Sequence, residues 1–219
     1  MKFGYLLLLT CLAAPVALWA QTGSLTYADG HREENVLMNI SSLVEPDQKI
    51  FIRQAGKWVT LVPANLERMI FGADTFVTVR LNGSPPAMLR TAVHGHLRLY
   101  LAEESFLHSF LIRYQGDSPL DPLATNAERV YTKADTNYGN LVPVLAWPDG
   151  SYLVLNPVDK ATLHQKINGF LETYPEPLPP LNNRLRRVPN EYFIKLVQSY
   201  NQWATKKENS ENTKMKDKF

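Results

Sequence analysis

The feature that most restricts the fold of this chain is a series of short strand-like segments joined by very short connections. Residues 75–81 read TFVTVRL, which places Val77, Val79 and Leu81 on one side of an extended chain. Three further segments, AMLRTAV, LRLYLA and FLHSFLIRY, follow at 87–93, 97–102 and 106–114. Because connections this short cannot hold a crossover, consecutive strands must run antiparallel. The middle of the chain therefore predicts an antiparallel meander, either open or curled toward a barrel.

Turn sequences predict two hairpins outside this region. Residues 49–62 form two β-rich runs around Gln-Ala-Gly at 54–56, where the glycine suits the positive φ of a three-residue loop. The runs LVPVLAW and SYLVLN enclose Pro-Asp-Gly at 148–150, in which proline presets the first turn position and glycine takes the left-handed one. The remaining segments predict a helical turn or loop at 63–72, a surface loop at 116–126 and a short strand at 129–133.

The hydrophobic period becomes helical near residue 156. Asn156 suits an N-cap and Pro157 the first helical position, and the apolar residues that follow share one stripe, so a helix is predicted over 157–172. A proline-rich stretch comes next, and Pro189 then opens a second amphipathic helix. The last residues, 205–219, have almost nothing to bury and predict a disordered tail.

The N-terminus predicts export. Residues 1–20 combine Lys2, an apolar run and suitable residues before the cut, so we expect a signal peptide that is cleaved after Ala20. Lipidation at Cys11 is disfavoured, because the residue before it is larger than lipidation normally tolerates. Cleavage removes the only cysteine and leaves no second long apolar run, so the mature chain is expected to lack disulfides and transmembrane spans. A periplasmic or extracellular protein is predicted.

The mature chain is predicted to be one α+β domain over residues 21–204, with a β-rich part at 24–156 and a helical part at 157–204. We expect the two C-terminal helices to pack on the antiparallel sheet, because the apolar faces of the strands need cover. The formal net charge of +2 falls to +1 when Lys2 is removed. A nearly neutral chain gives no electrostatic reason to expect a nucleic-acid partner.

Two histidines that flank a glycine are the strongest candidates for chemistry. A spacing of two would place the rings of His94 and His96 on one side of a strand, which suits a metal pair. Gly95, however, suits a chain reversal, and the other histidines stand apart, so the tip of a hairpin is the preferred interpretation. A metal-dependent or other hydrolase that uses this pair remains the alternative function.

The other sequence patterns favour binding over catalysis. No nucleophile elbow, mature thiol or glycine-rich phosphate loop occurs in the sequence, and no cofactor is expected. The preferred function is noncatalytic binding of an envelope protein or ligand. Basic residues are concentrated at Arg184, Arg186 and Arg187 and at the lysines of the tail. A third possible function is therefore weak binding to anionic membrane surfaces. Interleaved acidic residues favour a role in solubility instead.

Four segments carry a resemblance to a known group of proteins. They read GSLTYADG, IFIRQAGKWVTLVPANLERMIFGADTF, GHLRLYL and FIKLVQSYNQW, at 23–30, 50–76, 95–101 and 193–203. In order and spacing they resemble a broad family of uncharacterised exported proteins of Bacteroidota. The resemblance implies an envelope location and a β-rich body with C-terminal helices, and it assigns no catalytic or binding residue.

Overall fold

The computed structural model describes residues 21–40, 43, 47–81, 85–103, 106–107, 141–156, 159–182 and 184–216. Within these residues, ten strands form one antiparallel sheet that is not closed, and two helices pack on it. The predicted α+β class is therefore confirmed. The predicted signal peptide, the loop at 116–126 and the strand at 129–133 lie outside the described residues. So does the predicted strand at 106–114, except for Phe106 and Leu107, which are helical and buried.

The order of the strands in the sheet differs from a simple meander at one place. The strands are β1 Gln21–Tyr27, β2 Arg32–Asn39, β3 Ile50–Gln54, β4 Lys57–Leu61, β5 Leu66–Phe71, β6 Asp74–Val79, β7 Ala87–Val93, β8 Arg98–Glu103, β9 Leu141–Ala146 and β10 Tyr152–Val154. They are arranged as β10-β9-β8-β7-β6-β5-β1-β2-β3-β4. The chain therefore leaves β4 at one edge and returns past three strands, so that β5 pairs with β1.

The segment at 63–72 corrects one sequence prediction. Only Pro63–Asn65 forms a helical turn, of the 3-10 type, and the residues after it form β5 rather than a loop. Leu66 and Met69 are buried in an apolar cluster with residues of β1 to β3, and β5 is paired on both sides, with β1 and with β6. These two residues lie three apart in the sequence, so the strand shows no regular alternation that could have predicted it.

The hairpin at 49–62 is confirmed as a hairpin, and its loop is shorter than predicted. Gln54 and Lys57 are paired, which leaves only Ala55 and Gly56 in the loop, with φ values of 49° and 80°. Two consecutive positive φ values are typical of a type I′ turn, whose twist matches that of the two strands it joins. The β3–β4 hairpin is consequently a regular ladder from its first pair onward.

Both predicted helices are present with different bounds. Helix α1 spans Lys160–Phe170 and is capped by Asp159, whose carboxylate accepts the backbone N–H of Thr162 at 3.4 Å, rather than by Asn156. Helix α2 spans Asn190–Lys216, so the prediction of a disordered tail from residue 205 is wrong as far as residue 216. Once a helix has formed, each added residue fixes one more backbone hydrogen bond, and continuation does not require a buried face.

The helices cover one end of the sheet, on one face. The buried residues of this cluster are Val93, Leu97, Leu99, Leu145 and Leu155 from the sheet end and Leu163, Ile167, Leu171, Val188, Phe193, Leu196, Val197 and Tyr200 from the helical part. They share a continuous apolar layer, whose burial stabilises the packing by roughly 25 cal/mol for each Å² removed from water. The predicted docking of both helices on the sheet is thus confirmed.

A buried glutamine joins the segment before β3 to β7, which lies on the far side of β2, β1, β5 and β6 in the sheet. Gln48 precedes β3 and is only 6% exposed. Its Nε2 donates to the carbonyl oxygens of Leu43 and Met88 at 2.8 and 3.0 Å, and its Oε1 accepts the N–H of Met88 at 2.6 Å. Met88 belongs to β7, yet it packs in the same cluster as residues of β1 to β3. The sheet therefore curls between β7 and β3 without closing.

Candidate functional site

The two candidate histidines lie in the connection between β7 and β8. His94 is exposed, whereas His96 is half-buried with its Nε2 3.5 Å from a carboxylate oxygen of Glu208 on α2. Since β7 and β8 are antiparallel neighbours, the connection is the hairpin tip that the glycine predicted. In the part of the chain that the structure describes, no three His, Cys, Asp or Glu side chains are grouped closely enough to hold a metal ion.

The same hairpin is clamped by one asparagine of α2. Asn201 accepts the N–H of Leu97 at its Oδ1, at 2.8 Å, and donates from its Nδ2 to the carbonyl of Leu97 at 2.9 Å. A Cβ atom placed on Gly95 would lie 2.6 Å from Cγ of Asn201, which is well inside normal contact. The glycine of GHLRLYL and the asparagine of FIKLVQSYNQW are thus two halves of one structural contact. Sequence reasoning missed this contact, because Asn201 lies 104 residues after Leu97, the residue to which it is hydrogen-bonded.

An aromatic cluster joins α1 and α2 to the turn between β9 and β10. Its rings are Trp147, Phe170, Tyr174, Tyr200 and Trp203, with neighbouring ring centroids 5.4–5.6 Å apart. Such edge-on and offset contacts add about 0.5–1.5 kcal/mol per pair beyond area burial. Tyr200 and Trp203 thus help to hold α2 against α1 and the turn between β9 and β10.

A second ring pair links the helices to the proline-rich segment. The hydroxyl of Tyr192 donates to the carbonyl of Pro179 at 3.0 Å and lies 3.0 Å from Nε2 of His164. Burial raises the pKa of Tyr192 from 10.0 to about 12. Between these two pH values the unfolded chain releases a proton that the folded chain keeps, so stability falls as the pH rises through this interval.

This pKa difference leads to a prediction on alkaline stability. In the wild-type protein, the free energy of unfolding is expected to fall more steeply between pH 10 and 12 than in Tyr192→Phe, which has no proton to release at this position. Urea unfolding at a series of pH values measures both slopes. Equal slopes would contradict a raised pKa of Tyr192 in the folded protein. This holds whatever the absolute stability of the variant, because loss of the tyrosine's hydrogen bonds lowers stability by the same amount at every pH in this interval.

The three arginines of the predicted basic patch do not all remain available for a ligand. Arg187 is half-buried, and its Nη2 donates to the carbonyl of Leu141 at the start of β9, at 3.0 Å. Arg184 and Arg186 are exposed. Arg187 thus has a structural role in tying the segment before α2 to the sheet.

The outer edge of the sheet at β4 carries the most concentrated exposed apolar surface of the described residues. Trp58, Val59 and Val62 are 50%, 37% and 43% exposed, and Leu185, at 43%, is the one other large apolar residue exposed to this extent in the part of the chain that the structure describes. The pattern KWVTL contained a signal for this exposure. Trp58 and Val59 are adjacent and must point to opposite faces of a strand, so a single covering layer cannot bury both.

The pairing of β4 with β3 determines which backbone groups face outward. In a hairpin with a two-residue loop, the pair that closes the loop is hydrogen-bonded, and hydrogen-bonded and non-hydrogen-bonded pairs alternate from there. The pairs Gln54–Lys57 and Ile52–Val59 are then bonded within the hairpin. The N–H and C=O groups of Trp58 and Thr60 point away from β3 instead. Within the described chain, β4 has no second neighbour that could accept them.

The chain was compared with three sets of known proteins. Neither the protein-family models, nor the curated proteins, nor the solved structures gave a match. The family resemblance and the export signal stay predictions. Among the described residues, no helix combines the length and the apolar character needed to cross a membrane.

Proposed function

We propose that this chain is an exported, noncatalytic binding protein of the periplasm or cell exterior, and that it engages a protein partner through the outer edge of β4. The observation that carries the proposal is the coincidence of two features on one strand. Trp58 and Val59 are exposed on β4 and Val62 is exposed just after it, and the backbone groups of Trp58 and Thr60 face outward. A strand with both features can accept another strand as its neighbour.

In strand addition, an extended segment of the partner pairs with an exposed sheet edge through both its backbone and its side chains. Ladder hydrogen bonds supply affinity, and side-chain contacts on the two faces supply specificity. Tryptophan is among the residues that dominate binding energy at interfaces, and Trp58 is half-exposed on this surface. Natural edge strands are usually short or carry charge and proline. Here Lys57 and Pro63 lie just at the two ends, so they limit the surface to the residues between them.

The proposal is tested by crosslinking in the cells that produce the protein. A photoreactive p-benzoyl-phenylalanine at position 58 is expected to give a discrete crosslinked adduct, because this side chain lies on the proposed interface. The matched control is the same residue at position 185, where the wild-type leucine is similarly exposed but lies outside the sheet. If position 58 gives no more adduct than position 185, the edge is not a binding surface.

A further inference from the structure

We infer that the occupant of this edge is the same edge of a second copy of the chain, with the two β4 strands antiparallel about a two-fold axis at Val59. The inference rests on the proposed function and names its partner. Two-fold dimers are the commonest closed assemblies of soluble proteins, and each copy presents the same patch to the other. Outward groups alternate along a regular strand and so lie symmetrically about any of its residues, and the side chains decide which residue lies on the axis.

The outward groups of β4 satisfy this symmetry. They belong to Trp58 and Thr60, which lie one residue to either side of Val59. With the axis at Val59, Trp58 of one copy stands opposite Thr60 of the other and exchanges N–H···O=C bonds with it, which gives about four backbone hydrogen bonds over the two symmetric pairs. Val59 then faces Val59 of the second copy in a non-hydrogen-bonded pair, where the side chains approach most closely.

The same register accounts for all three exposed apolar residues. Trp58 covers a β-branched threonine, which is a favourable cross-strand pair, and Val59 contacts its own copy. Val62 is extended, with φ −111° and ψ 153°, and falls opposite Gly56 of the second copy. Because a Cβ at Gly56 would meet nothing within 4 Å, the turn of the second copy leaves room for the valine.

Charge and closure favour a second copy over an unlimited stack. In this register Lys57 stands opposite Leu61, so the lysines of the two copies do not oppose each other. The other terminal strand of the sheet, among the described residues, is β10, with three residues against the five of β4. Pairing of β4 with β4 uses the longer edge of each copy and leaves only the short one, so the assembly stops at two.

Disulfide trapping tests both the partner and the register. In a Cys11→Ser background an introduced cysteine is the only one in the chain. Val59→Cys places two cysteines across the axis in a non-hydrogen-bonded pair, with Cα atoms about 4.5 Å apart, within the range of a disulfide. The matched control is Lys57→Cys, whose two copies lie four residues apart along the strands, at roughly 14 Å. We expect the purified Val59→Cys protein to form disulfide-linked dimer at least tenfold faster than Lys57→Cys.

A second pair of variants tests the ladder itself. Thr60→Pro removes an outward N–H that the β3–β4 hairpin does not use, so circular dichroism should be unchanged while trapping through Val59→Cys falls at least tenfold. Thr60→Val keeps the N–H and should trap as before. Equal trapping at 57 and 59, or none at 59, would overturn self-pairing. If position 58 then still crosslinks to a different protein in cells, the proposed function stands and only this partner is wrong; without either adduct both fail.

Discussion

Replacing Gln48 with leucine is expected to lower the free energy of unfolding by about 3 kcal/mol, because several buried polar groups lose their hydrogen-bond partners at once. The side chain holds three hydrogen bonds with the backbone of Leu43 and Met88. Leucine has a similar size and fills the space, but it cannot pair with any of these groups. Met88 is itself only 2% exposed, so water cannot replace the lost partners without a rearrangement.

Urea unfolding followed by circular dichroism measures this change. The matched control is Gln202→Leu, which alters the same side chain on the exposed face of α2 and is expected to change stability by less than about 0.5 kcal/mol. A loss below about 1 kcal/mol for Gln48→Leu would show that water reaches these groups and that the curl of the sheet does not depend on the glutamine.

The part of the fold that could be predicted from the sequence is the part that local rules govern. Connections of a few residues require antiparallel neighbours, which correctly predicted the succession of β6, β7 and β8. Pro-Asp-Gly correctly predicted the turn between β9 and β10, and a helical period predicted α1 and the first half of α2. Each of these features depends on residues close together in the chain.

The features that sequence reasoning missed depend on partners far away in the chain. The strand β5 is extended because it lies between β1 and β6, and its own pattern of buried residues does not alternate. Gln48 is polar, and only the approach of β7, with Met88 forty residues away, makes it a buried residue. The candidate interaction surface falls between the two cases. The β3–β4 hairpin was predicted, but its position at the end of the sheet was not. The exposure of Trp58 and Val59 on the two faces of β4 depends on that position.

The second large effect is expected at Gly95. Its φ lies outside the left-handed region, so alanine is compatible with the backbone, and the three atoms nearest to the added Cβ all belong to the side chain of Asn201. That side chain cannot turn away without breaking its two hydrogen bonds to Leu97. Gly95→Ala is therefore expected to cost about 2 kcal/mol as an overpacking change, and Asn201→Ala about 2 kcal/mol through the lost hydrogen bonds.

The double variant distinguishes this contact from two independent defects. Once Asn201 is alanine, the new methyl group at position 95 has room, so Gly95→Ala/Asn201→Ala is expected to lose only about 2 kcal/mol rather than the sum of the single losses. The control is Gly169→Ala in α1, where a Cβ meets nothing within 4 Å and removal of a helical glycine should stabilise the protein by about 0.5–1 kcal/mol. Additive losses at 95 and 201 in urea unfolding would mean that the hairpin of His94 and His96 does not depend on α2 for its shape.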